Sequence, residues 1–142
     1  AHDCIVGNNV IFANHSTLAG HVVIHDNVVV GALSAIHQFS RIGEGAMIGG
    51  MSGVTADVVP FATVIGNRAK LSGLNILGLK RRLTKKSEMS ELRKVFKYIF
   101  YDKKNTFKLR INEVKNKKYQ EKTIKVLLDF LSSDSERSFV LP

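Results

Sequence analysis

Tryptophan is absent, proline occurs twice and cysteine once. The single thiol, Cys4, excludes an intrachain disulfide framework, and we read it as a small buried hydrophobe rather than a reactive group. No apolar run is long enough to cross a bilayer, and no secretory signal is visible at Ala1-His2-Asp3-Cys4. These absences lead us to expect a reducing, cytoplasmic setting without stable membrane insertion. There is no initiator Met and the first residues already stand inside a repeat, so upstream coils are expected before Ala1. Acids are few as well, 12 against 21 Lys and Arg, for a net charge of +9. Arg41 is the one base among residues 1–66, beside Asp3, Asp26, Glu44 and Asp57, for a net −3. Residues 67–142 carry the other 20 bases and 8 acids, a net +12. That asymmetry marks two segments of different character, the second suited to an acidic partner.

What is present is a period of six. Every sixth residue from Val6 is large and apolar: Val6, Phe12, Leu18, Ile24, Val30, Ile36, Ile42, Ile48 and Val54. Every sixth residue from Cys4 is small or Val, through Val10, Ser16, Val22, Val28, Ser34, Ser40, Ala46, Ser52 and Val58. The residue after each large aliphatic is usually Gly or Ala, which we take to permit a turn. An α-helix cannot place every sixth residue on one face, and a flat strand has no reason to select one slot in six for size. Triangular coils do both. Each hexad forms one side, and three hexads make a coil of eighteen residues. The expected fold is a left-handed parallel β-helix over residues 1–66, a connector with a basic motif over 67–82, and a small C-terminal α-helical domain over 83–142.

Residues eighteen apart then stack in columns spaced by roughly 5 Å, as neighbouring strands are. His2, Gly20 and Gln38 share one column. Asp3, His21 and Phe39 share the next, and Ala1, Ala19, His37 and Thr55 the one before. The scattered polar residues His2, Asp3, His21, His37 and Gln38 therefore converge on one corner of a prism. Gly20, between them, offers a bare backbone N–H. A corner built for stability alone rarely needs three imidazoles and a carboxamide, so this group is read as functional. His15 and His25 fall in other columns and are read as surface or subunit-contact residues. No two histidines share a column, and a zinc site needs three or four ligands at about 2 Å, so no metal is expected.

The repeat decays after Val58-Val59-Pro60-Phe61 and ends at Gly66, where the series calls for a large aliphatic. Asn67 to Leu79 reads as an irregular connector. Helical spacing follows in Leu92, Val95, Phe96, Ile99 and Phe100, with Ser87 or Ser90 as cap. A short helix capped by Thr106 carries Leu109 and Val114, and a third runs over Tyr119 to Leu131. The remainder, Ser132 to Pro142, is polar and expected to fray, although Phe139-Val140-Leu141 can dock. Lys80, Arg81, Arg82, Lys85, Lys86, Arg93, Lys94 and Lys97 cluster at the start of this half. A solvated face and an anion site for a phosphorylated substrate or acidic carrier fit this cluster equally. Nucleic acid fits less well, since the aromatics sit at core spacing and no nucleic-acid module is present.

With His2-Asp3-Cys4, Leu18-Ala19-Gly20-His21, Ala35-Ile36-His37-Gln38-Phe39 and the run Gly73-Leu74-Asn75-Ile76-Leu77-Gly78-Leu79-Lys80-Arg81-Arg82 in view, the chain resembles one family. It is similar to the C-terminal part of the bacterial UDP-N-acetylglucosamine O-acyltransferases, the first enzymes of lipid A biosynthesis. The resemblance implies a homotrimer that moves a 3-hydroxyacyl group from acyl carrier protein to the 3-hydroxyl of UDP-N-acetylglucosamine, with no cofactor beyond the carrier. It implies His2 as general base, Asp3 as its orienting partner and the Gly20 N–H as oxyanion donor. It implies substrate contact by His21, His37 and Gln38, nucleotide or carrier contact by Asn75, Arg81 and Arg82, and control of acyl length at Gly50, where a missing side chain admits a long chain. Leu77 stands where the family usually has an acid and Arg68 where a histidine is common.

Two further classes fit the repeat. One is a related hexapeptide-repeat N-acyltransferase or coenzyme-A-dependent acetyltransferase. The other is a trimeric scaffold without catalysis, since cleft residues from upstream coils are not in this chain.

Overall fold

The computed structural model describes residues 1–82 and 85–142. The boundary set at 83 for the helical domain lies outside the described residues.

Nine two-residue strands follow one another at six-residue intervals: β1 (Ile5–Val6), β2 (Ile11–Phe12), β3 (Thr17–Leu18), β4 (Val23–Ile24), β5 (Val29–Val30), β6 (Ala35–Ile36), β7 (Arg41–Ile42), β8 (Met47–Ile48) and β9 (Gly53–Val54). None pairs with its sequence neighbour. β1, β4 and β7 form one parallel sheet, β2, β5 and β8 a second, and β3, β6 and β9 the third. Each register is a step of eighteen, as in Ile5↔Val23 and Val23↔Arg41. The chain is thus wound into a three-sided, left-handed parallel β-helix of about three coils, as the hexad pattern predicts. Short sides bury one large residue each. Ile24, Val30, Ile36, Ile42, Ile48 and Val54 are at most 2% exposed. Their equivalents in the first coil, Val6 and Phe12, are 47% and 42% exposed because that coil has a neighbour on one side only.

The turn chemistry differs from expectation. The Gly and Ala after each aliphatic are not the turn residues. Backbone φ is positive at Asp3, Asn9, His15, His21, Asn27, Leu33, Phe39, Gly45 and Met51, a second period of six displaced by two positions. Only Gly45 among them is a glycine, and Asn and Asp, the usual tolerant side chains, fill three more. The small residues serve coil-to-coil packing instead. A Cβ on Gly31 would stand 2.5 Å from the Gly50 nitrogen, and one on Gly43 2.4 Å from that of Pro60.

The second half is more ordered at its start than the sequence suggests. β10 (Ala62–Ile65) continues the second sheet beside β8, and β11 (Lys70–Leu74) folds back antiparallel onto it. The segment read as an irregular connector therefore holds a strand and α1 (Ile76–Arg82). Sequence pattern misses β11 because a five-residue strand with Ser72 and Gly73 has no clear alternation; pairing on β10 decides it. α2 (Lys86–Tyr101), α3 (Phe107–Asn116) and α4 (Lys122–Ser132) follow. Lys85, not Ser87 or Ser90, is the N-cap of α2, and it makes no side-chain cap bond. Thr106 caps α3 as expected, its Oγ1 accepting from the Leu109 N–H at 3.2 Å. Leu92, Val95, Phe96, Ile99, Val114, Ile124 and Leu127 form the shared helical core.

The C-terminal segment, expected to fray, instead returns to the prism, because its backbone completes bonds that the last coil leaves open. Ser138 and Val140 exchange backbone bonds with Asp57 at 2.8 Å each, and the Leu71 N–H donates to the Leu141 carbonyl at 3.0 Å. Beneath them the fully buried Asp57 carboxylate accepts from the Arg41 N–H (2.8 Å), Arg41 Nε (2.8 Å) and Ser135 Oγ (2.5 Å). The Arg41 guanidinium lies 4.3 Å over the Phe130 ring of α4. This ion pair, drawn from the acidic half of the chain, ties helix and tail to the coils.

Candidate active site

Three of the left-handed turns, at Asp3, His21 and Phe39, lie one above another and define one edge of the prism. Backbone bonds hold them in step: His21 N–H to the His2 carbonyl (3.0 Å) and Phe39 N–H to the Gly20 carbonyl (3.1 Å). The predicted convergence is therefore realised. His2 Nδ1 sits 2.8 Å from Asp3 Oδ2, and His21 Nε2 lies 3.8 Å from the same oxygen. The two imidazoles meet edge to face, centroids 5.0 Å apart at 87°. His21 in turn stacks on Phe39 at 4.9 Å and 10°. Phe39 was placed in its column by the sequence but given no role; it is the platform that fixes the His21 ring plane.

The His2 side chain is 71% exposed and that of Asp3 65%. An ion pair so wet contributes little stability. Its consequence is orientation: a carboxylate on Nδ1 selects the tautomer whose proton sits there and leaves Nε2 with a free lone pair. The ring lies across Gly20. A Cβ at that position would be 2.7 Å from His2 Cε1 and 2.8 Å from Nε2, so any side chain would displace the base. Among the described residues the Gly20 N–H donates to no backbone carbonyl.

His2, Asp3 and His21 also offer three ligand atoms within 4.8 Å of one another. Sequence columns do not show this, because His2 and His21 occupy adjacent columns and only ring orientation closes the gap. Two imidazoles and a carboxylate are a donor set that zinc accepts, although in this geometry Asp3 is already engaged by His2 Nδ1.

His37 and Gln38 occupy the same edge one coil further on, and both are exposed. Arg137 of the tail reaches them, its guanidinium 2.7 Å from His37 Nδ1 and 3.1 Å from the Gln38 carbonyl oxygen. Sequence reasoning gave Arg137 no role; one hundred residues separate it from its partner.

The remaining predicted residues lie elsewhere in the single chain. Asn75 donates to the Gly45 carbonyl (3.0 Å) and accepts from the Gly78 N–H (3.1 Å), so it both caps α1 and grips a second edge. Arg82 packs on that same turn and lies 5.9 Å from the Phe61 ring, while Arg81 is exposed. Gly50 precedes the Met51 turn on the third edge, and among the described residues Ala32 alone comes within 4 Å of its absent side chain. Leu77 and Arg68 are exposed. Between α1 and the start of α2, Lys80, Lys85, Lys86, Met89, Ser90, Arg93 and Lys94 line a groove of about 580 Å³.

Coils of two-residue strands with an imidazole–carboxylate edge define a class, the left-handed parallel β-helix proteins of hexapeptide-repeat type. Comparison with known proteins narrows this. Residues 57–140 match the family model described as UDP N-acetylglucosamine O-acyltransferase, Domain 2. The chain belongs to the UDP-N-acetylglucosamine O-acyltransferase family. It is 44% identical over all 142 residues to the acyl-[acyl-carrier-protein]–UDP-N-acetylglucosamine O-acyltransferase of Paracoccus denitrificans, covering 53% of that protein. Over 100 residues, 70% of the chain, it is 51% identical to the protein of the same name from Campylobacter concisus, covering 38% of it. Among solved structures, the UDP-N-acetylglucosamine acyltransferase from Campylobacter jejuni superposes with a TM-score of 0.92 at 39% identity, over 100% of this chain and 54% of that one. The Arabidopsis UDP-N-acetylglucosamine acyltransferase gives 0.92 at 38%, over 100% and 52%. The chain spans about half the length of the relatives it matches.

Proposed function

We propose that the protein carrying this chain transfers a 3-hydroxyacyl group from acyl carrier protein to the 3-hydroxyl of UDP-N-acetylglucosamine, the first step of lipid A biosynthesis. One observation carries the reading: a His2 imidazole held by Asp3 on Nδ1, bare on Nε2, and laid across Gly20 where any side chain would stand. His2 Nε2 takes the proton as the sugar oxygen attacks the thioester carbon. The Gly20 N–H donates to the oxyanion that forms. The tetrahedral adduct collapses, the C–S bond breaks, and the imidazolium returns its proton to the departing thiolate. Bond making and proton transfer balance without metal, cofactor or covalent enzyme intermediate.

The distribution of residues over three edges favours a homotrimer. In a three-fold ring unlike edges of neighbouring copies face one another, which would set the Gly50 edge of one copy, with its exposed Leu33 and Met51, against the imidazole edge of the next. The basic groove at the start of α2 suits the acidic carrier. No helix of the described residues is long and apolar enough to cross a membrane, and a carrier-bound donor fits a cytoplasmic enzyme.

His2→Ala should lower kcat by about 100-fold or more while leaving the assembly intact, as loss of a general base does. Retention of more than about a tenth of the turnover overturns the assignment. Offering carrier and coenzyme A thioesters with sugar hydroxyl and amine acceptors separates this reaction from related acyl transfers.

A further inference from the structure

We propose that Arg137 is a positioning residue for the acceptor site, acting through His37; the proposal deepens the acyltransferase reading and rests on it. Nothing in the resemblance or the relatives' names assigns this residue a role.

The guanidinium has five N–H donors and no acceptor. At 2.7 Å from His37 Nδ1, it requires that nitrogen to accept. The alternative partner of Nδ1, the Gln38 carbonyl, is 3.4 Å away and is itself bound by Arg137 Nε at 3.1 Å. The proton of the neutral His37 ring therefore sits on Nε2, on the other side of the ring from the tail. His37 then presents an N–H donor, suited to an oxygen of the sugar nucleotide, on the edge that carries His2.

Arg137 does not hang free. Its backbone N–H donates to Ser135 Oγ (3.1 Å), and Ser135 Oγ–H donates to the buried Asp57 carboxylate. Asp57 is fixed by Arg41, whose own strand β7 sits directly after the Phe39 turn. The path from a fully buried carboxylate to an exposed imidazole thus runs through hydrogen bonds and the Arg137 side chain itself. This is why an arginine in a polar tail can hold one geometry at the surface. Arg137 also clamps the Gln38 carbonyl, so it fixes the corner backbone as well as the ring.

The test has a kinetic arm and a spectroscopic arm. In the protein, Arg137→Ala is expected to raise KM for UDP-N-acetylglucosamine about tenfold, the scale of one charge-assisted hydrogen bond, with kcat changed by less than about threefold. In a His37→Ala background the same substitution should change KM by less than about twofold, since the partner it acts through is gone. A full KM effect in both backgrounds, or none in either, overturns the proposal. In the ¹⁵N-histidine-labelled chain, Arg137→Ala should move the His37 Nδ1 resonance and leave those of His2, His15, His21 and His25 in place. An unmoved His37 signal overturns the contact itself. If the unmodified protein transfers no acyl group from any donor, the functional reading fails, while the spectrum still decides whether Arg137 sets His37.

Discussion

At the scale of single residues the molecule is governed by what each turn and each close approach will tolerate. Asp3 and His21 are launched from left-handed backbone, a conformation that costs about 1–2 kcal/mol for most side chains, and they face one another because the coil repeat stacks those turns. Asp57 shows the opposite regime. It is fully buried, and three donors satisfy it. Asp57→Ala would leave the Arg41 guanidinium largely desolvated and unpaired and free Ser135. Urea denaturation should show a loss of about 3 kcal/mol, the scale of breaking a buried pair by removing one partner. Loss of less than about 0.5 kcal/mol would mean that the tail is held by its backbone bonds alone. The sequence had marked Arg41 as the lone base in an acidic half, but nothing in its spacing names Asp57, sixteen residues on, as its partner.

At the scale of elements, α4 carries a contact that depends on pH. His25 lies against it, its ring meeting Phe130 edge to face at 5.8 Å. Burial first, and the neighbouring Arg41 charge second, hold its pKa below the ordinary 6.5, partly countered by Asp26, Glu44 and Asp57. The folded state thus binds a proton less readily than the unfolded chain. Above pH 6.5 both forms are neutral and stability is full. As pH falls through 6.5 the unfolded chain takes up the proton first, and stability declines until the folded pKa is reached. Denaturation midpoints measured between pH 8 and pH 5 should fall on the acid side, and His25→Gln should flatten that part of the slope. An unchanged slope in the variant would assign it to other groups. The sequence reading of His25 as a surface or subunit-contact histidine did not name Phe130 as its neighbour: His25 is exposed, and one face of its ring meets α4 of its own chain.

α3 and the loop before it illustrate an element fixed by one side chain. Arg110 is nearly buried and donates to the carbonyls of Ile99, Lys104 and Asn105, closing the end of α2. Periodicity treats Arg110 as one more surface base; only the packed helices reveal it as the cap of its neighbour.

At the scale of the whole molecule, charge and shape divide the work. The coils carry a net negative charge and the acid–base edge, whereas the helices carry nearly all the positive charge. The basic groove should therefore govern encounter with an acidic carrier and leave the chemical step alone. Reversing Lys86 and Arg93 to Glu is expected to raise KM for the acylated carrier by about tenfold at low salt, with kcat unchanged and the difference shrinking as ionic strength rises. Equal KM values at low salt would remove the groove from carrier recognition.

The hexad pattern by itself determined the three-sided coil, the interior residues and the column register, because one large side chain per triangular side must point inward to be buried. It also determined that His2, Asp3, His21, His37 and Gln38 share an edge, since a fixed eighteen-residue coil converts spacing into position. Tertiary structure decided the rest. Which residues take the left-handed turns, that β11 pairs back onto β10, that Arg41 finds Asp57 and that Arg137 reaches His37 all depend on contacts between segments with no common period. A repeat specifies neighbours by arithmetic; a tail docked across it is placed only by the energies of the bonds it finds.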